Sequence, residues 1–171
     1  MNTKQYTKSL KNNDKYFFLG KLHLNTNNLL QYEKPTEFSH LSLPQYSENL
    51  GPLIYYLFTP SSNGTYEILR KIGRTKNWAK RIYTYQQTEK HYDYTTQKII
   101  NELIKLKHYT IHIYGIQSPP NSITITDPNT NITKTVYQHT TEINEQFYTE
   151  NYISSNPNNI KTLTFQTQIN I

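Results

Sequence analysis

Apolar residues in this chain fall into short runs with two distinct periods. Leu53 to Thr59 is apolar and aromatic without interruption and reads as a buried strand. Pro60-Ser61-Ser62-Asn63-Gly64 follows, with an Asn-Gly pair suited to a hairpin turn, and Tyr66 to Gly73 reads as the returning strand. The period then changes. Asn77 is a candidate N-cap, and Trp78, Ala79, Ile82 and Tyr85 recur at helical spacing, which predicts a helix over about 77–89. Thr95 or Thr96 would cap a second helix with Ile99, Ile100, Leu103, Ile104 and Leu106 on its apolar face.

Alternation returns from Tyr109 to Ile116, and Pro119-Pro120 ends it. Ser122–Thr126 and Ile132–Tyr137 flank Asp127-Pro128-Asn129 and read as an inserted, polar hairpin over about 117–139. Thr141 to about Ser154 reads as a third helix with Ile143, Phe147 and Ile153 inward. Leu163, Phe165, Ile169 and Ile171 alternate, which predicts a last strand over 161–171. Residues 1–50 carry two apolar clusters, Tyr16–Leu24 and Leu41–Leu43, and the first reads as a strand added to the sheet. The order predicts an α+β fold: a small antiparallel sheet flanked by about three helices, with an N-terminal extension over 1–50, a main unit over 51–160 and an inserted hairpin.

Composition narrows this picture. At 171 residues the chain suits one domain with an appendage. Its 18% charged and 13% aromatic residues, with 16 Tyr, argue against disorder. There is no cysteine, which removes disulfide scaffolds, Cys-ligated zinc and cysteine nucleophiles. No apolar run approaches the ~18 residues of a membrane span, and Met1–Asn13 lacks the apolar segment of a signal peptide, so a soluble, intracellular protein is expected. The abundance of Asn, Ile, Lys and Tyr, with only one Ala (Ala79) and one Val (Val136), fits an AT-rich coding sequence.

Charge localises the chemistry. The net charge is +6, and Gly51–Ile116 alone holds ten Lys/Arg against four Asp/Glu, while the rest holds eight of each. Arg70, Lys71, Arg74, Lys76, Lys80 and Arg81 fall within twelve residues that contain no acid. A focused positive block is the footprint of a phosphate-backbone binder, and equally that of a merely solvated basic face. The six His show no metal-ligand spacing.

Three elements then stand out: Ile54-Tyr55, Lys71-Ile72-Gly73 with Arg81 eight residues after the Gly, and Glu145-Gln146-Phe147 in the predicted late helix. Arg81 and Tyr85 are four apart and share a helix face. Gly73 ends a strand where a missing side chain lets a phosphate or a facing residue reach the backbone. One carboxylate can hold Mg²⁺ when water and substrate phosphate complete its shell.

In this order the residues resemble the GIY-YIG nucleases, over roughly residues 51–160. The resemblance implies a metal-dependent endonuclease that hydrolyses DNA phosphodiester bonds with Mg²⁺ or Mn²⁺. Tyr55 would act as general base or position the attacking water, Arg81 would neutralise charge on the scissile phosphate, and Glu145 would hold the metal. Tyr85 stands where members carry His or Tyr, and would hydrogen-bond the phosphate or the water. Lys71, Gly73, Arg74, Lys76 and Lys80 would contact DNA.

The chain also departs from the pattern. Lys71 stands where Tyr is usual, as in a phage- and virus-associated branch, and the Gly expected directly before Ile54 is absent, with Gly51 nearby. The late Asn of the family is Asn156, Asn158 or Asn159. The Lys at 71 keeps open an inactive nucleic-acid-binding module of the same fold. The target site and oligomeric state are not legible.

Overall fold

The computed structural model describes residues 4, 7, 8, 10, 16–35, 52–87, 93–117, 121–138, 149, 152 and 162–166, with the backbone alone at 121–124 and 135–138. Glu145, Gly51, Asn156, Asn158, Asn159 and all of 141–154 except Thr149 and Tyr152 lie outside the described residues.

Five strands make one antiparallel sheet: β1 (Phe17–Leu24), β2 (Leu30–Glu33), β3 (Leu53–Pro60), β4 (Glu67–Thr75) and β5 (Thr110–Gln117). Their spatial order is β2-β1-β5-β3-β4. A separate two-stranded ribbon, β6 (Asn121–Thr126) with β7 (Thr133–Gln138), forms the inserted hairpin. Two helices, α1 (Trp78–Tyr85) and α2 (Tyr94–Leu106), connect β4 to β5. The α+β reading holds. Of the three expected helices these two are described in full, and of the third, over about 141–154, only Thr149 and Tyr152 are described, both helical and buried.

The unbroken apolar run of β3 has a direct cause. Its side chains alternate between two cores, one on each face of the sheet, so every residue from Leu53 to Thr59 is buried. Leu53, Tyr55 and Leu57 pack with Trp78, Ile82, Tyr85, Ile99, Ile100 and Leu103, beneath the helices. Ile54, Tyr56 and Phe58 pack on the other face with Leu69, Ile72, Ile116, Leu10, Tyr152 and Leu163. Antiparallel sheets often leave one face wet; here both are covered.

Residues 1–50 contribute more than an appended strand. β1 pairs with β5 on one side and β2 on the other, which puts β5 at the centre of the sheet. A register shift at Phe18/Gly20 accommodates Gly20, whose φ is +107° and whose position leaves no room for a Cβ beside the Glu33 carbonyl.

The helix caps follow local chemistry. The Asn77 side chain accepts from Lys80 N at 3.1 Å, as expected. For α2 the cap is Asp93, which accepts from Thr96 N at 2.7 Å, and not Thr95 or Thr96. A carboxylate two residues earlier outcompetes the hydroxyls because it meets the helix N-terminus with full charge.

Leu163 and Phe165 do not form the described part of a last strand. Residues 162–166 turn along the open edge of β4, where Phe165 N donates to Arg70 O at 3.1 Å and Gln166 Oε1 accepts from Ile72 N at 3.2 Å. Leu163 and Phe165 enter opposite cores, so the alternation is real but serves to cover an edge.

Candidate active site

Tyr55 sits in the middle of β3, opposite Gly73 on β4 and Gly115 on β5. The chain has five glycines, and two of them flank this one side chain. At Gly73 the reason is contact. A Cβ there would lie 2.5 Å from the Tyr55 Oη and 2.7 Å from its Cε2. The Tyr55 ring therefore lies flat across the backbone of β4, and only glycine admits it. The facing group that Gly73 accommodates is this phenol.

The ring is clamped on its other sides. Trp78 is tilted against it at 5.3 Å between centroids, and Tyr85 meets it edge-on at 6.4 Å. The two phenol oxygens, from Tyr55 and Tyr85, are hydrogen-bonded at 2.7 Å. Exposure is 1% for Tyr55 and 0% for Tyr85. Complete burial pushes the Tyr85 phenol well above its ordinary pKa; the neighbouring Tyr55 adds to this and Arg81 partly offsets it. Tyr85 is therefore neutral at ordinary pH and keeps a proton to donate.

Arg81 lies one turn before Tyr85 on α1. Its guanidinium carbon stands 6.0 Å from the centre of the Tyr85 ring, and Nη2 donates to the Arg74 carbonyl at 3.4 Å. That bond ties α1 to the end of β4. Arg81 is half-buried, so it is the member of the Tyr55–Tyr85–Arg81 cluster with surface toward solvent.

The basic block divides on folding. Lys76 and Lys80 are exposed at the start of α1. Lys71 pairs opposite Leu57, hence on the Tyr55 face of the sheet, and is half-buried. Arg74 pairs opposite Ile54, so the pleat sends its side chain to the other face and its carbonyl serves Arg81. Arg70, counted with the basic stretch, is 7% exposed. Its Nε donates to Thr59 Oγ1 at 2.9 Å and its Nη1 to Thr162 O at 3.3 Å. It is a structural cation and adds nothing to a surface patch.

Sequence reasoning missed the support beneath Tyr55. Tyr32 on β2 meets Trp78 edge-on at 6.1 Å and accepts from its indole N–H at 3.2 Å, while its own hydroxyl bonds to the Leu19 carbonyl. The Tyr32 backbone N–H donates to Gln86 Oε1 at 3.0 Å, just past the end of α1. The N-terminal hairpin therefore fixes the ring that fixes Tyr55. Gly115, inside an alternating strand, leaves room for Leu19 of β1, whose Cδ1 would lie 2.6 Å from a Cβ there.

Solved structures with a similar fold include two nucleases. A mutant of bacteriophage T4 EndoII aligns over 89% of this chain and 95% of its own, with 19% identity and a TM-score of 0.51. The restriction endonuclease Hpy188I in complex with product DNA aligns over 88% of this chain and 86% of its own, with 16% identity and a TM-score of 0.45. The chain has a GIY-YIG-like fold. No family model matches the chain, and no curated protein matches its sequence. Tyr55 and Gly73 face each other within the β3–β4 hairpin, and Arg81 lies on the first helix after it. Among the described residues no helix is long and apolar enough to cross a membrane.

Proposed function

We propose that this protein is a metal-dependent endonuclease that hydrolyses DNA phosphodiester bonds at the Tyr55–Arg81 cluster, with residues 51–160 as its catalytic unit. The observation that carries the reading is the locked phenol: Tyr55 is wedged over Gly73, bonded to Tyr85, and next to the helix that presents Arg81.

A fixed cation beside a fixed hydroxyl pair suits phosphoryl chemistry, where catalysis is mostly positioning and charge stabilisation. Arg81, having solvent-facing surface, receives the scissile phosphate and neutralises its growing charge. Tyr85 stays protonated and donates to the Tyr55 oxygen. The Tyr55 O–H, 1% exposed in the free protein, would orient the attacking water once substrate binding gives water access to it, and positioning is its main role. Lys76 and Lys80 hold the flanking backbone.

Glu145, outside the described residues, would hold Mg²⁺ or Mn²⁺. Among the described residues there is no cluster of three or more His, Cys, Asp or Glu. A hard cation bound through one carboxylate, water and phosphate oxygens requires no such cluster. Once bound, the metal stabilises charge on the leaving oxygen.

A second reading, a DNA-binding module without catalysis, draws on Lys71, which takes a Tyr position on the Tyr55 face. One assay separates the two. Supercoiled plasmid is incubated with Mg²⁺ and the parent, Arg81→Ala or Glu145→Ala protein. Nicking by the parent and loss in both variants supports the nuclease. Salt-sensitive binding with no cleavage under any divalent metal supports the module.

A further inference from the structure

The outward face of α1 carries a residue that neither core nor catalytic cluster uses. Trp78, Ile82 and Tyr85 point inward at i, i+4 and i+7. Lys80 and Tyr83, three apart, share the opposite face. Tyr83 is 70% exposed. Among the described residues two other tyrosines are comparably exposed, Tyr94 at 71% and Tyr109 at 55%, but Tyr83 alone of the three shares a helix with Arg81. Exposed Lys80 stands one turn before it on the same face, and exposed Lys76 lies just ahead of the helix.

We propose that Tyr83 is a stacking platform for an unpaired DNA base, and that the preferred substrate class is therefore DNA with locally single-stranded or extruded nucleotides. Cations that follow a backbone, interleaved with an aromatic ring open on its face, are the two components of single-strand recognition. An intact duplex hides its base faces and offers such a ring little. The inference takes DNA as ligand from the nuclease reading and goes further in naming the form of DNA.

The test is equilibrium binding of the full-length protein in chelator, so that no cleavage occurs. The probes are an intact duplex and the same duplex with a short single-stranded gap holding a fluorescent adenine analogue. The parent is expected to bind the gapped probe more tightly and to quench the analogue. Tyr83→Ala should weaken gapped binding by about 5- to 150-fold, leave intact-duplex binding unchanged and abolish quenching. Tyr83→Phe should behave as the parent, because the ring and not the hydroxyl stacks. Lys80→Ala should weaken both probes alike. Equal binding of both probes by the parent, or parental binding by Tyr83→Ala, overturns the proposal. Misfolding is not a confounder at so exposed a position, and a thermal melt of Tyr83→Ala checks this. Because no chemistry is measured, an Arg81→Ala protein that still nicks plasmid would defeat the nuclease reading and leave this result intact.

Discussion

The Gly73→Ala substitution isolates the contact on which the site depends. Gly73 has no left-handed φ, so its backbone would tolerate alanine. The gain from a stiffer unfolded chain would then be about 0.4–1 kcal/mol. Against it stands the Tyr55 ring, with Oη at 2.5 Å and Cε2 at 2.7 Å from the new methyl. The ring cannot swing aside, because Trp78 and Tyr85 hold its other sides. Forced overpacking of this kind costs about 1–3 kcal/mol, so the net expectation is a loss of roughly 1–2 kcal/mol.

Denaturant unfolding of the parent, Gly73→Ala, Tyr55→Ala and the double variant closes the cycle. Tyr55→Ala alone leaves a cavity and should cost about 3–5 kcal/mol, by analogy with other large aromatic truncations. In the double variant the methyl added at position 73 enters space the ring has left, so its penalty should vanish, giving a coupling of about 1–3 kcal/mol. Strict additivity, or a Gly73→Ala protein as stable as the parent, would refute the claim that the glycine exists to seat the phenol.

Three further outcomes follow from the geometry. Because Tyr85 keeps its proton in the fold and loses it near pH 10.0 when unfolded, its contribution is intact below that pH and is lost as pH rises beyond it. The slope is about 1.4 kcal/mol per pH unit for that one proton, and melting curves of Tyr85→Phe should fall less steeply with alkali than those of the parent. Asn77→Ala removes the cap of α1 and should cost about 1 kcal/mol in a chemical melt, with nicking reduced because Arg81 rides on that helix. Arg70→Met should leave the salt slope of DNA binding unchanged and lower stability, whereas Lys80→Ala should reduce that slope by about 0.9.

Local patterns in the sequence identify the elements well. The β3–β4 hairpin, both helices, β5 and the inserted ribbon lie close to where period and turn residues place them. Gly73 reads in the sequence as admitting a phosphate or a facing residue, and only the register of β3 and β4 makes that residue Tyr55. What stayed hidden depends on contacts distant along the chain. Arg70 looks like its basic neighbours until Thr162, 92 residues away, proves to be its partner. Tyr32 looks like one of 16 tyrosines until the N-terminal hairpin folds beneath Trp78. Leu163 and Phe165 carry strand spacing but meet an edge that is already ordered, and cover it instead.

The most direct test of the catalytic account is single-turnover cleavage of DNA by Arg81→Ala protein, with and without added guanidinium. The account predicts a loss of about 10²–10³-fold in the rate of the chemical step, measured below a melting temperature lowered by loss of the Arg81–Arg74 bond, and partial recovery when guanidinium fills the space beside Tyr85. Cleavage by Arg81→Ala at the parental rate would contradict it.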